Sequence, residues 1–97
     1  MASKLPVPAQ QSQENDAILR QVLQDILGLS DDRVAELDTD SGLFGYLPEL
    51  DSMAVAGLLT EVEDRFDIII EDDEVDGEML ETYGALLAFI TAKRQES

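Results

Sequence analysis

Apolar residues recur at spacings of three and four in three segments of the chain, the pattern of a helix that buries one face. We predict a first helix over residues 14–28, with Gly28 as a left-handed cap at its end. A second helix begins near Ser52, and a last one covers residues 82–94, with Thr82 as its N-cap. The residues predicted to face the core are Ile18, Leu19, Val22, Leu23, Ile26, Leu27, Val55, Leu58, Leu59, Val62, Phe66, Tyr83, Leu86, Leu87 and Ile90.

The segments between these helices lack a helical period. Residues 29–49 contain two glycines and a proline, and they are predicted to form a long loop. The run Ile68–Ile70 is β-branched, but a lone strand has no partner, so we interpret it as a connection, followed by a short helix over residues 73–80. The loop residues expected to pack over the core are Val34, Leu37, Leu43, Phe44 and Leu47.

These elements predict one all-α domain, a small bundle of three to four helices with a long first loop. Residues 1–12 carry two prolines among polar residues, so we assign them to a disordered N-terminal tail and residues 13–95 to the helical domain. The N-terminal residues do not have the pattern of a signal peptide, and no apolar run is long enough to span a bilayer. A cytoplasmic location is therefore expected.

The composition excludes several kinds of chemistry. The chain contains no cysteine and no histidine, so it has no disulfide and no thiol nucleophile, and it lacks the commonest acid–base group. Its net charge is −16, from 22 acidic and 6 basic residues. Such a chain repels nucleic acid and anionic membranes and attracts basic protein surfaces. We therefore expect protein partners, and neither nucleic-acid binding nor membrane insertion.

The stretch LPELDSMAVAGLL, which opens the second helix, raises the question of what Ser52 does. A serine in this position is a common N-cap, a role that Asp51 could also fill. A serine nucleophile needs a base, and the two lysines, Lys4 and Lys93, lie near the ends of the chain, so we do not predict a serine hydrolase. What remains is a hydroxyl at a helix N-terminus, where the helix dipole favours an attached phosphodiester.

Two acidic segments partly match the calcium loop of EF-hands. The first begins at Asp38 and has Glu49 at its twelfth position, but its glycine comes one position too early for the sharp turn. The second begins at Asp72, and its twelfth position is Tyr83, which cannot bind a metal bidentately. We therefore predict no metal site. A calcium-responsive protein stays as an alternative, which a circular dichroism titration would test.

The tripeptide Asp51-Ser52-Met53 resembles the motif of the acyl carrier proteins, in which Asp-Ser-Leu or Asp-Ser-Met opens the second helix. Three further segments are similar to that family, in order along the chain: AILRQVLQDILGL, GLLTEVEDRFDIII and TYGALLAFI. The resemblance covers about residues 14–92. It implies a helical bundle of acyl-carrier type.

The resemblance also implies a function. A phosphopantetheinyl transferase would attach 4′-phosphopantetheine from coenzyme A to Ser52, and the thiol of this arm would hold an acyl group as a thioester. The protein would then be a carrier and not an enzyme, a monomer that presents its cargo to acyl-loading and acyl-using enzymes with basic surfaces. Asp51 would orient the helix start and contact the transferase, and Met53 would be an exposed apolar contact. The expected partner-binding acids are Glu61, Glu63, Asp64 and Asp67, and the expected cargo lining is Phe44, Leu47, Leu59, Val62, Met79 and Leu87.

The chain departs from the family pattern on both sides of the motif. The run LPEL before Asp51 lacks the usual glycine, so we expect a different shape for this loop. Ala54, Gly57 and Arg65 stand where members often carry acids, which favours a specialised lipid, polyketide or polysaccharide-modifying pathway. The alternatives are a peptidyl or D-alanyl carrier with the same arm, or an unmodified acidic helical adaptor. Because salt screens exposed ion pairs, partner binding should weaken as salt rises to about physiological strength.

Overall fold

The computed structural model describes residues 9–96, with side chains for residues 13–95. It contains three long helices and two short ones, and no strand within the described residues, which confirms the all-α prediction. The elements are α1 (Ala9–Leu27), α2 (Asp31–Ala35), α3 (Ser52–Phe66), a 3-10 helix (Asp72–Glu74) and α4 (Tyr83–Glu96).

The core lies where α1 packs against α3 and α4. The predicted apolar stripes are confirmed, because each of the three helices contributes residues that are wholly buried in this core. Burial of one such side chain stabilises the fold by about 1.5–3 kcal/mol. The apolar residues with no exposed surface are Leu19, Val22, Leu23, Leu43, Leu58, Val62, Leu86 and Ile90. On the edges of the stripes, Val55, Leu59 and Leu87 are half-buried.

Two predicted helix ends are confirmed by their backbone geometry. Gly28 has a φ of +70°, and its N–H donates to the Gln24 carbonyl at 2.9 Å, so it ends α1 in the left-handed conformation that glycine adopts without strain. At the start of α4, the Thr82 hydroxyl oxygen accepts a hydrogen bond from the Ala85 N–H at 3.1 Å. The sequence therefore defines both ends through single residues.

The start of α1 corrects the predicted tail. The helix begins at Ala9, so residues 9–12 are helical, and the remainder of the predicted tail, residues 1–8, lies outside the described residues. Ala9 and the glutamines that follow it are good helix formers. These residues carry no apolar period, so the hydrophobic pattern could not reveal them.

The two short helices also differ from expectation. Helix α2 lies inside the predicted loop; the Ser30 side chain caps it by accepting the Arg33 N–H at 3.2 Å, and Val34 is buried beneath it. The helix predicted over residues 73–80 is wrong, because regular helical structure covers only Asp72–Glu74 and turns follow. As predicted, Ile68–Ile70 forms a connection and no strand.

The long loop packs onto the bundle through its backbone and through Arg20 of α1. The Leu43 N–H donates to the Glu81 carbonyl at 2.9 Å, and the Tyr83 N–H donates to the Ser41 carbonyl at 2.8 Å. The Arg20 guanidinium donates to the carbonyls of Val34 and Leu37, the latter at 2.7 Å. These bonds fix the loop that leads to Ser52.

One loop side chain does not pack as expected. Val34, Leu37 and Leu43 are buried and Leu47 is half-buried, but Phe44 is 42% exposed. Phe44 belongs to the turn that follows the buried Leu43, in which the Tyr46 N–H donates to the Leu43 carbonyl at 3.0 Å, and its side chain faces solvent. The prediction that Phe44 covers the core is therefore wrong.

Candidate functional site

Asp51, and not Ser52, is the N-cap of α3. Its backbone is extended, and its Oδ1 accepts a hydrogen bond from the Ala54 N–H at 2.8 Å. Ser52 is the first helical residue, it is exposed, and its hydroxyl makes no hydrogen bond within the described residues. The two roles that the sequence left open for Ser52 are thereby separated, because the capping role is filled by its neighbour and the serine hydroxyl is left available to solvent.

The position of Ser52 suits an attached anion. The first N–H groups of a helix have no intrahelical acceptor, and the helix dipole places a partial positive charge there. Asp51 uses the N–H of Ala54, and the first intrahelical bond runs from the Val55 N–H to the Asp51 carbonyl at 3.0 Å. A phosphodiester on the Ser52 oxygen would therefore lie at the positive end of a 15-residue helix.

Ser52 lies on the border between two clefts. On one side, the loop before the helix forms a wide cleft of about 620 Å³. On the other side, a cleft of about 500 Å³ runs between α3 and the connection that follows it. The loop cleft is lined by Phe44, Gly45, Tyr46, Leu47, Pro48, Leu50 and Asp51, and the helix cleft by Val55, Ala56, Leu59, Thr60, Glu63, Ile70, Asp72 and Val75.

Large apolar side chains are exposed next to Ser52. Met53 is 86% exposed and Tyr46 is 67% exposed, and Phe44 lies beside Tyr46 on the wall of the loop cleft. The surface around the serine is therefore apolar in a strongly acidic chain, which is typical of a contact surface. Met53 has the exposed position that the sequence predicted for it.

The loop before Ser52 is held by an ion pair that the sequence did not reveal. The guanidinium of Arg33 on α2 donates through both terminal nitrogens to the Glu49 carboxylate, and the Nη2–Oε1 distance is 3.1 Å. This contact lowers the pKa of the Glu49 carboxyl. Leu50, the next residue, is buried and anchors the loop in the core. Together these contacts set where the chain enters α3.

Two comparisons with known proteins agree with this geometry. The family model for the phosphopantetheine attachment site matches residues 17–90. The structure is also similar to the solution NMR structure of a holo acyl carrier protein from Nitrosomonas europaea, with a TM-score of 0.73 and 38% sequence identity, over 88% of this chain and 99% of that chain. This chain belongs to the acyl carrier protein family. Among curated proteins, no match was found.

Membership of the family confirms three expectations. The fold is that of an acyl carrier protein, the cofactor of the family is a covalently attached 4′-phosphopantetheine, and the protein is a carrier and not an enzyme. Within residues 9–96, no helix is long and apolar enough to cross a membrane. Nor do the described residues contain a group of three or more acidic side chains arranged to hold a metal ion.

The four acids expected to bind partners of this carrier lie in different surroundings. The Glu61 carboxylate pairs with Arg65 at 2.5 Å, and the Glu63 carboxylate accepts the Ile70 N–H at 2.7 Å. Asp64 and Asp67 are exposed. Two of the four acids therefore hold internal contacts and two face solvent, whereas Ser52, Asp51 and Met53 lie together at the opposite end of α3.

The structure does not bring the six expected cargo-lining residues of the carrier together. Leu59 lines the helix cleft, and Leu47 and Phe44 line the loop cleft. Val62 and Met79 are core residues, and Leu87 lies in a separate groove beside Thr39 and Gly84. Sequence reasoning missed Ile70 and Val75, whose β-branched side chains in a predicted connection were the available signal.

Proposed function

We propose that this acyl carrier protein bears its phosphopantetheine arm on Ser52 and carries acyl groups as thioesters on that arm. The observation that carries the proposal is the division of roles between Asp51, which caps α3, and Ser52, whose exposed hydroxyl is not used for capping. The N-terminus of α3, where Ser52 lies, is also the positive end of the helix dipole and favours the negative charge of a phosphodiester. The residues around Ser52 therefore fit the group.

The attachment step is a transfer between two oxygens. The Ser52 Oγ forms a bond to the phosphorus that bears the pantetheine in coenzyme A, and the bond from this phosphorus to the bridging pyrophosphate oxygen breaks. The adenosine bisphosphate half leaves with that oxygen, and the hydroxyl proton passes to a base of the transferase. The carrier contributes an accessible hydroxyl and a favourable electrostatic position, and catalysis belongs to the transferase.

The arm and the first part of a cargo chain would lie in the helix cleft. It starts at Ser52 and continues between α3 and the connection, with Val55, Leu59, Ile70 and Val75 as its apolar walls. A thioester carried there would be shielded from water by side chains that are half-buried without a ligand. We propose that the partner enzymes dock on the exposed apolar side chains beside Ser52 and on the acids at the far end of α3, and that basic surfaces bind these acids.

We further propose that the carrier acts as a cytoplasmic monomer in a specialised lipid, polyketide or polysaccharide-modifying pathway. In the described residues, three of the large exposed apolar side chains, Phe44, Tyr46 and Met53, belong to the surface around Ser52, which leaves Ile69 elsewhere. A surface used for partner enzymes is not available to a stable dimer. The first turns of α3 carry no charge, which supports a specialised pathway, because partner enzymes that bind acids in these turns would find none.

The experiment is intact mass spectrometry before and after incubation with coenzyme A and a broad-specificity phosphopantetheinyl transferase. We expect the wild type to gain one phosphopantetheine and Ser52→Ala to gain none. Ser30→Ala is the matched control, because Ser30 also lies at a helix start but its hydroxyl oxygen is used as a cap. A folded wild type that gains no mass would leave the unmodified adaptor as the better interpretation.

A further inference from the structure

Arg65 is an exception within the acidic half of the carrier. Between Glu49 and Glu81 the chain has 13 acidic residues and this single base. Arg65 lies in the last turn of α3, where the helix dipole favours a cation. Dipole compensation alone would leave the side chain free to extend into solvent. The structure instead places it in a defined pair of contacts.

Those contacts join Arg65 to two acids on two helices. Its Nη2 donates to Asp25 Oδ2 on α1 at 2.9 Å, and its Nε lies 2.5 Å from Glu61 Oε2 one turn earlier on α3. The Arg65 side chain is 34% exposed, so the charge remains accessible from the surface. The pKa of the Asp25 carboxyl is lowered, first of all by its hydrogen bond to Arg65. We name Asp25, Glu61 and Arg65 the α1–α3 ion cluster.

The cluster changes the charge that α3 presents to an approaching enzyme. The helix has no charged residue from Ser52 to Thr60, so its surface charge comes from the last two turns. There, Glu61 shares the Arg65 guanidinium with Asp25, so the cluster offers one net negative charge in place of two. Asp64 is exposed and makes no ion pair within the described residues. An enzyme with a basic side chain opposite Glu61 would meet the Arg65 charge or have to separate the pair.

We propose that Arg65 is a specificity-determining residue, which lowers the negative charge that Glu61 offers to partners and selects enzymes with a basic group opposite Asp64 and an uncharged or acidic group opposite Arg65. This proposal rests on the proposed function, because it assumes enzymes that dock on α3. Like charges facing each other disfavour the wrong partner, which is a direct route to specificity. Arg65 is thus a positioning residue for Glu61 and a local repulsive element for a basic group that lies directly opposite it.

The test is a double-mutant cycle between Arg65 and Glu61, read as kcat/KM for modification by a broad-specificity phosphopantetheinyl transferase with coenzyme A. At low salt, Arg65→Gln should raise kcat/KM by about 3- to 10-fold through KM, with kcat unchanged. Glu61→Gln alone should change kcat/KM by less than about 2-fold. In the Arg65→Gln background, the same substitution should lower kcat/KM by about 3-fold or more. At about 1 M salt, where the screening length is roughly 3 Å, the differences should vanish.

Three control variants separate this role from other effects. Arg94→Gln removes the same charge from α4, where Arg94 contacts Asn15 at 2.5 Å, and it should leave kcat/KM close to the wild-type value. Arg65→Lys keeps the charge and should behave like the wild type. Asp64→Asn should lower kcat/KM in every background. A circular dichroism melt of each variant shows that it is folded.

The outcomes distinguish the two proposals. A wild type that gains no phosphopantetheine overturns the proposed function and, with it, the role of Arg65. A modified wild type in which the Arg65 and Glu61 substitutions are additive overturns the role of Arg65 alone. The same is true if Arg65→Gln and Arg94→Gln have equal effects, because net charge would then explain both, or if the effect of Arg65→Gln persists at high salt.

Discussion

Arg33 on α2 and Glu49 in the loop before Ser52 are joined by an ion pair across 16 positions of the chain. Both partners lie at the surface, so the pair contributes little to overall stability. Its position gives it another consequence, because it fixes the loop that forms one wall of the loop cleft. The run LPEL that this pair holds lacks the glycine that often precedes the Asp-Ser motif in this family.

We expect Arg33→Gln to slow modification of Ser52 without unfolding the protein. The loop would sample more positions, so kcat/KM for the transferase should fall by about 2- to 5-fold, since small misplacements of a reacting group are costly. The melting temperature should stay close to the wild-type value. The charge-swapped double variant Arg33→Glu, Glu49→Arg should restore the rate. Failure of the swap to restore it would show that the side chain of Arg33, and not its pair with Glu49, is needed.

The buried hydroxyl of Tyr83 should matter more for stability than for modification. It donates to the Asp16 carboxylate at 2.5 Å, burial raises the pKa of the phenol, and the Arg20 guanidinium lies 5.0 Å from the ring centre. Tyr83→Phe would leave Asp16 without this donor, so we expect a loss of about 1–2 kcal/mol in the free energy of unfolding, measured by urea denaturation. Tyr46→Phe, at an exposed tyrosine, is the control and should change stability by less than about 0.5 kcal/mol.

The helices and their ends follow from the sequence because they depend on local signals. The stripes of α1, α3 and α4 repeat over several turns, and Gly28 and Thr82 mark ends by their own conformational preferences. Helix α2 has only five residues, too few for a period to be seen, although Ser30 followed by Asp31 was a capping signal. The capping role at α3 stayed open because serine and aspartate are equally good N-caps and lie side by side.

The candidate site also has features that follow from the local sequence and features that depend on contacts between distant segments. The Asp51-Ser52-Met53 motif and the exposure of Met53 follow from position on one helix. The pairs Arg33–Glu49 and Arg65–Asp25 join residues 16 and 40 positions apart, and nothing in the local sequence distinguishes these charges from ordinary surface residues. The cleft walls Ile70 and Val75 depend on how the connection folds back onto α3. Such contacts are set by the packing of distant segments, which no local sequence signal encodes.

The stability of the folded protein should depend on pH through the carboxyl of Glu74, in the acidic segment after α3. Glu74 accepts the Glu71 N–H at 2.9 Å and pairs with Lys93 at 3.0 Å. These contacts, above all the hydrogen bond from the Glu71 backbone, lower the pKa of Glu74 below its ordinary value of 4.5. A carboxyl whose pKa is lower in the folded state stabilises the protein above the unfolded pKa and loses this effect as the pH falls through the folded value.

We therefore expect the wild type to melt at a higher temperature than Glu74→Gln at pH 6, and the difference to shrink as the pH falls below about 4.5. Comparing the two proteins at each pH removes the common effect of the large negative charge. Glu78→Gln is the control, since it removes the same charge from an exposed side chain of the same segment. A difference that is constant from pH 6 to pH 3 would contradict an electrostatic role for Glu74.

Two substitutions at Asp51 separate the two roles expected of it, the cap of α3 and the contact with the transferase. Asp51→Asn keeps an oxygen that can accept the Ala54 N–H, whereas Asp51→Ala removes the cap and should lower the free energy of unfolding by about 1 kcal/mol. If the transferase binds the carboxylate, both variants should be modified more slowly than the wild type. If Asp51 only orients the start of α3, Asp51→Asn should be modified at the wild-type rate and Asp51→Ala alone should be slow. Urea denaturation and intact-mass time courses on the same three proteins decide between these roles, because the cap affects both measurements and the contact affects only the second.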